Sequence, residues 1–360
     1  MRWISLPQAL MSRLQHKRDL FIVKLLIAVA AVFAAVAVSS CLGSSSVAPA
    51  GVVKYILGMR DELTDTEMLI IGRVRFPRVA TAALVGGALA SVGCVMQGVF
   101  KNPMADPSVL GISSGSAFGA AIAIVFGLNG MIIGEGFTGS YVGAIAGALV
   151  TWAAVFFIAQ GSGEYDTTST LLAGIAISSI MSALITVMMT LHMDSMERVY
   201  LWMLGTFSSA TVTKTKVLAV VVAVGVPLLI MIAPRIDVLK LGREAALSLG
   251  VKQSSTLGLT LCIASVLLAF CVANSGIIGF VGLIIPHIVS FFKVRKMRQK
   301  LIMCFFVGAL FMVICDTIAK TVVAPGEMAI GAITSLIGAP YFLWLLIKSR
   351  IVAGKKGVRI

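Results

Sequence analysis

The chain has 360 residues, of which 59% are apolar and only 12% charged, about half the charged share of soluble domains. Its net charge of +14 comes from 29 Lys and Arg against 15 Asp and Glu, and the basic residues cluster in the gaps between apolar runs. That pattern marks membrane topology determinants and argues against a nucleic-acid surface.

A soluble core of this length has no room for so many long apolar segments, whereas a lipid span takes roughly 20 apolar residues of helix. The expected fold class is therefore all-α, a polytopic membrane protein. In chain order, a polar segment 1–19 precedes an apolar run at 20–42. That run is long enough to span and lacks a clear A-x-A cleavage site, so it reads as a first membrane helix and not as a removed signal. Further runs follow at 79–100, 108–128, 139–160, 170–191, 216–234, 255–275, 277–292, 301–320 and 327–347, which predicts ten transmembrane helices. The tightest break is Ala273-Asn274-Ser275-Gly276, before an eighth run interrupted by Pro286.

An even count puts both termini on one side. Placing them inside assigns 20 of the 29 basic residues to the cytoplasm, as the positive-inside rule requires. The expected organisation is a cytoplasmic segment 1–19, a single transmembrane domain 20–350 and a cytoplasmic tail 351–360, lying in the cytoplasmic (inner) membrane. The domain includes an external segment 43–78, with an amphipathic piece near Val52 to Met59 expected as a short surface helix, and an internal loop 235–254. Gly111, Gly115 and Gly119 in the third helix, and Gly139, Gly143 and Gly147 in the fourth, form four-residue ladders that let backbones approach closely. Six cysteines, all in apolar runs and without C-x-x-C spacing, read as small packing residues.

The sequence contains no G-x-x-x-x-G-K-[ST] phosphate loop, no H-E-x-x-H and no pair of intramembrane aspartates. The chain itself is expected to hydrolyse no ATP and to bind no cofactor or metal. Ion-coupled carriers keep ionisable groups at mid-membrane, and few exist here. His287 reads as a hydrogen-bonded histidine after Pro286 or as a gate or proton site, and Asp316 with Lys320 has the spacing of an i,i+4 pair. A neutral pathway driven by a partner is the expected arrangement.

Several segments carry a family resemblance: RVRFPR at 73–78, MQGVFKNPMADPSVLG at 96–111, LAGIA at 172–176, WMLG at 202–205, LGREAALSLG at 241–250, GFVGLIIPH at 279–287 and GAPYFLW at 338–344. In this order they resemble the FecCD-type permeases of iron-siderophore, haem and cobalamin ABC importers, over roughly residues 20 to 350. The pattern departs at Ser290, where that family often has arginine, and at 325–329, which lacks a second proline.

The resemblance implies a homodimer with the pathway on its twofold axis, two cytoplasmic ABC ATPase subunits that use ATP and Mg, and an extracytoplasmic substrate-binding protein. It also implies alternating access. It assigns Arg75, Arg78 and Lys320 to docking of the binding protein. By charge alone, Arg75 and Arg78, set about Pro77 at the outer start of the second helix, also fit interfacial snorkelling. Asn102, Met104, Thr167 and Thr168 match a cytoplasmic gate, with an ordinary polar turn over 102–107 as the alternative. Leu241, Arg243, Glu244 and Leu249 match an ATPase-coupling helix, with an amphipathic helix lying on lipid as the alternative. Two other function classes stand beside this one: a self-sufficient channel or ion-coupled carrier, and an intramembrane enzyme, for which no nucleophile, metal or acid pair is visible.

Overall fold

The computed structural model describes residues 8–43, 47–130, 136–160, 167–294 and 296–355, without the side chains of 8–18, 60, 160, 167 and 349–355. Each apolar run becomes a helix. The helices are α1 (Gln8–Cys41), α2 (Pro49–Ile56), α3 (Asp65–Leu69), α4 (Phe76–Val99), α5 (Ile112–Val125), α6 (Gly139–Gln160) and α7 (Thr167–Leu191). They continue with α8 (Met193–Leu204), α9 (Val212–Leu239), α10 (Arg243–Ser248), α11 (Gln253–Ser275), α12 (Val281–Phe291), α13 (Met297–Thr321) and α14 (Ile330–Lys355).

Among the described residues, eight helical stretches are long and apolar enough to cross a membrane. The third and eighth predicted spans are shorter, 14 residues in α5 and 11 in α12. Pro103 keeps the chain out of α-helix after α4, Pro107 opens a single 3-10 turn, Pro107–Leu110, and Gly111 leads into α5 at φ 77°, a left-handed conformation open mainly to glycine.

The second span begins much earlier than hydropathy suggested. Thr64 and Glu67 form a capping box, with Thr64 Oγ1 accepting from Glu67 N and Glu67 Oε2 accepting from Thr64 N at 3.0 Å. From there α3, a π-helical stretch Ile70–Arg75 and α4 run on as one rod, Asp65–Val99. Arg75 and Arg78 therefore sit inside a continuous helix and not at a turn before it. The amphipathic piece expected near Val52 is helix α2, with Val52 buried against Ile71 and Val47.

The rod is the centre of the fold: 83% of its apolar window is buried, against 6% for α1, which lies along α13 at the periphery. Glycines bring α13 and α12 up to it. A Cβ at Gly86 would collide with the Gly308 carbonyl, and one at Gly93 with the Gly282 carbonyl. Pro286 has no N–H to give the Gly282 carbonyl four residues back, and Gln97 Nε2 donates into that gap, 3.4 Å from Gly282 O and 3.1 Å from Leu283 O.

All six ladder glycines sit at close backbone approaches, the middle four against one another. Gly115 and Gly119 meet Gly147 and Gly143 backbone to backbone, whereas Gly111 abuts Gly174 on α7 and Gly139 abuts Leu128. All six cysteines are free, and four are buried.

Candidate functional site

The end of the bundle expected outside gathers the three cations assigned to docking. Arg75 closes the end of α1: its Nη1 donates to Ser40 O at 2.9 Å, and its Nη2 reaches Val47 O at 3.4 Å. The last carbonyls of a helix lack partners within it, and a guanidinium fork supplies several donors at once.

Arg78, one turn on, is gripped from two sides. Its Nε and Nη2 donate to Asp316 at 3.0 and 2.9 Å, and its Nη1 donates to Glu327. Lys320 donates to Ser39 O at 2.6 Å and Ser39 Oγ at 3.0 Å, while Thr317 Oγ1 donates to the same Oγ at 2.8 Å. The expected Asp316–Lys320 pair is therefore corrected. Asp316 turns to the guanidinium, which offers it two donors, and the ammonium turns to α1. Arg75, Arg78 and Lys320 are all buried, so their charges are held by the framework and not spread over the surface.

Sequence reasoning missed Asp316, Glu327 and Ser39 as members of this cluster. The i,i+4 spacing directed Asp316 to Lys320, and nothing local points to a partner 238 residues away.

At the opposite end, α4 stops at Val99 and the chain turns through Asn102 and Met104, both exposed. Asn102 Oδ1 accepts from Met104 N at 2.9 Å, and Asp106 Oδ1 accepts from Ser108 N at 2.8 Å, so two side-chain turns hold the loop. Asp106, half-buried, also lines a small notch with Ser113, Ser275 and Phe280. The segment after Pro107 packs on the first turns of α7, where Gly174 makes room for the Val109 carbonyl. Thr168 is exposed at the start of α7; the Thr167 side chain lies outside the described residues. His287 packs edge-on to Phe291 and Tyr341, with ring centroids 5.4 and 6.1 Å away.

The loop between α9 and α11 contains α10. Gly242 at φ 109° and Gly250 at φ 74° bracket it, conformations that side chains resist. Ala246 is buried, while Leu241, Leu247 and Leu249 are 67%, 51% and 62% exposed, and Arg243 and Glu244 are also exposed. Asp237 anchors the base of the loop, accepting from Lys240 Nζ at 2.7 Å and from Met297 N at 2.9 Å. The result is a short helical stub with exposed leucines.

Comparison with known proteins gives a consistent answer. The FecCD transport family pattern matches residues 27–348. The chain is 37% identical over 298 residues to the cobalamin import system permease protein BtuC of Halobacterium salinarum, covering 83% of this chain and 79% of that one. It is 36% identical over 280 residues to the hemin transport system permease protein HmuU of Yersinia pestis, covering 77% and 83%. A solved inward-facing structure of a metal-chelate type ABC transporter superposes with a TM-score of 0.78 at 30% identity, covering 90% of this chain and 98% of its own.

Proposed function

The chain belongs to the FecCD transport family, as a multi-pass permease subunit of an ABC importer for iron chelates, haem or cobalamin, and from that premise we propose a complete working cycle for it. Two copies enclose a pathway in the cytoplasmic membrane, with both termini inside, and move one such cargo by alternating access. Two separate ABC ATPase subunits supply the energy from ATP and Mg. An extracytoplasmic substrate-binding protein delivers and selects the cargo. The exposed apolar face of α1, with Leu26, Ile27 and Phe33, meets lipid.

The observation that carries this reading is the contrast between the ends. One end gathers Arg75, Arg78 and Lys320 in a single corner; the other presents Leu241 and Leu249 on a stub between two long helices. In this reading the first is where acidic groups of the binding protein dock, and the second is where α10, with Arg243 and Glu244, enters the ATPase. Asn102, Met104, Thr167 and Thr168 close the pathway toward the cytoplasm, the turn at 102–107 supplying a tip that two side-chain turns keep in shape.

The test is uptake into proteoliposomes of a ferric siderophore, haem and cobalamin, each offered with its binding protein. Uptake that requires ATPase, ATP and binding protein together supports the proposal. Flux through the chain alone would establish a self-sufficient carrier or channel instead.

A further inference from the structure

Arg78 is held unequally on its two edges. Asp316 takes Nε and Nη2 and is fully buried, so that edge is fixed. Glu327 takes Nη1 from the loop after α13, where residues 322–327 are all exposed, and its side chain is 33% exposed. Among the described residues Arg78 is the sole hydrogen-bond partner of the Glu327 carboxylate. The backbone just beyond is pinned independently, Met328 N donating to Ala319 O at 3.0 Å and Ile330 N to Gly205 O at 3.1 Å. The carboxylate is thus free to leave without unravelling the start of α14.

We propose that Glu327 is a displaceable internal carboxylate: it occupies the outer edge of Arg78 in the undocked permease and gives way to an acidic side chain of the docking protein. This inference rests on the docking role proposed for Arg78. Its physical reason is the cost of leaving a largely buried guanidinium with a bare edge. Glu327 covers Nη1 until the incoming group does, so no uncompensated state intervenes. Arg75, Arg78 and Lys320 against Asp316 and Glu327 leave the corner at three minus two, or +1, and withdrawing Glu327 raises it to three minus one, or +2. The incoming anion therefore meets the same +2 corner that held Glu327. Water still reaches the pair on its Glu327 side, and an anion whose protein excludes that water interacts more strongly with the same guanidinium edge.

The experiment measures binding-protein affinity for the intact permease–ATPase complex in nanodiscs, with assembly checked by size-exclusion chromatography. Glu327→Gln removes the competing charge, and the expected result is binding about fivefold tighter, the factor matching the upper worth of an exposed ion pair. Arg78→Gln is expected to weaken binding at least tenfold; if it does not assemble, Arg78→Lys takes its place, with weaker binding expected from loss of the fork. Weaker binding at Arg78 together with unchanged or weaker binding for Glu327→Gln overturns the displacement and leaves docking standing. Unchanged binding for the Arg78 variants overturns both.

Discussion

The two ends of the bundle solve opposite problems with opposite chemistry. At the proposed docking end, charged groups are buried and matched: Arg78 lies between Asp316 and Glu327, Lys320 lies on Ser39, and Arg75 lies on the final carbonyls of α1. At the proposed coupling end, apolar groups are exposed, with Leu241, Leu247 and Leu249 in and beside α10 around one buried anchor, Ala246. A buried charge contributes little net stability but is costly to orphan, whereas an exposed leucine contributes almost nothing to its own fold and much to a partner that covers it. Mutations at the first end should therefore disturb folding and docking together. Mutations at the second should leave folding alone and remove one partner.

Breaking the comparison at its strongest point gives the largest effect. Asp316→Ala leaves the fixed edge of Arg78 without a partner and is expected to destabilise the permease by about 3–5 kcal/mol, read as a lower melting temperature in detergent. Gln97→Leu bares the Gly282 carbonyl beside Pro286, and about 1–3 kcal/mol is expected in the same assay. Ser39→Ala takes one acceptor from Lys320 and one from Thr317 Oγ1, which keeps the Val313 carbonyl, and about 1 kcal/mol is expected there.

Leu249→Asp sharpens the contrast, because it should change stability by less than about 0.5 kcal/mol yet prevent co-purification of the ATPase. A variant that melts early instead would show the α10 tip to be part of the fold. Lys54→Ala removes an exposed pair with Glu62, 2.9 Å apart, and is expected to cost about 0–1 kcal/mol.

Much of this was legible in the residues. Apolar runs located all ten bundle helices because lipid imposes length and composition on each span separately. The close backbone approach at the six ladder glycines was legible because small-residue spacing is local to each helix, whereas their partners, Gly143 and Gly147 for the middle pair, Gly174 for Gly111 and Leu128 for Gly139, are set by packing. The early start of the central rod was hidden by Asp65, Glu67, Arg73 and Arg75, which lower hydropathy, although Thr64-x-x-Glu67 before an apolar run is the signal of a helix start. The Arg78 cluster was not legible, since its partners lie 238 and 249 residues away and only the packing of α13 on α4 brings them together.

The most direct test of a permease polarised between a docking corner and a coupling stub is ATP hydrolysis by the reconstituted permease–ATPase complex, with and without its binding protein. Wild type is compared with Arg78→Lys, which keeps the buried charge and loses the fork. The account predicts stimulation by the binding protein in wild type and weaker stimulation in the variant at the same binding-protein concentration, while the assembled complex retains its unstimulated rate of hydrolysis. Equal stimulation in both would contradict it.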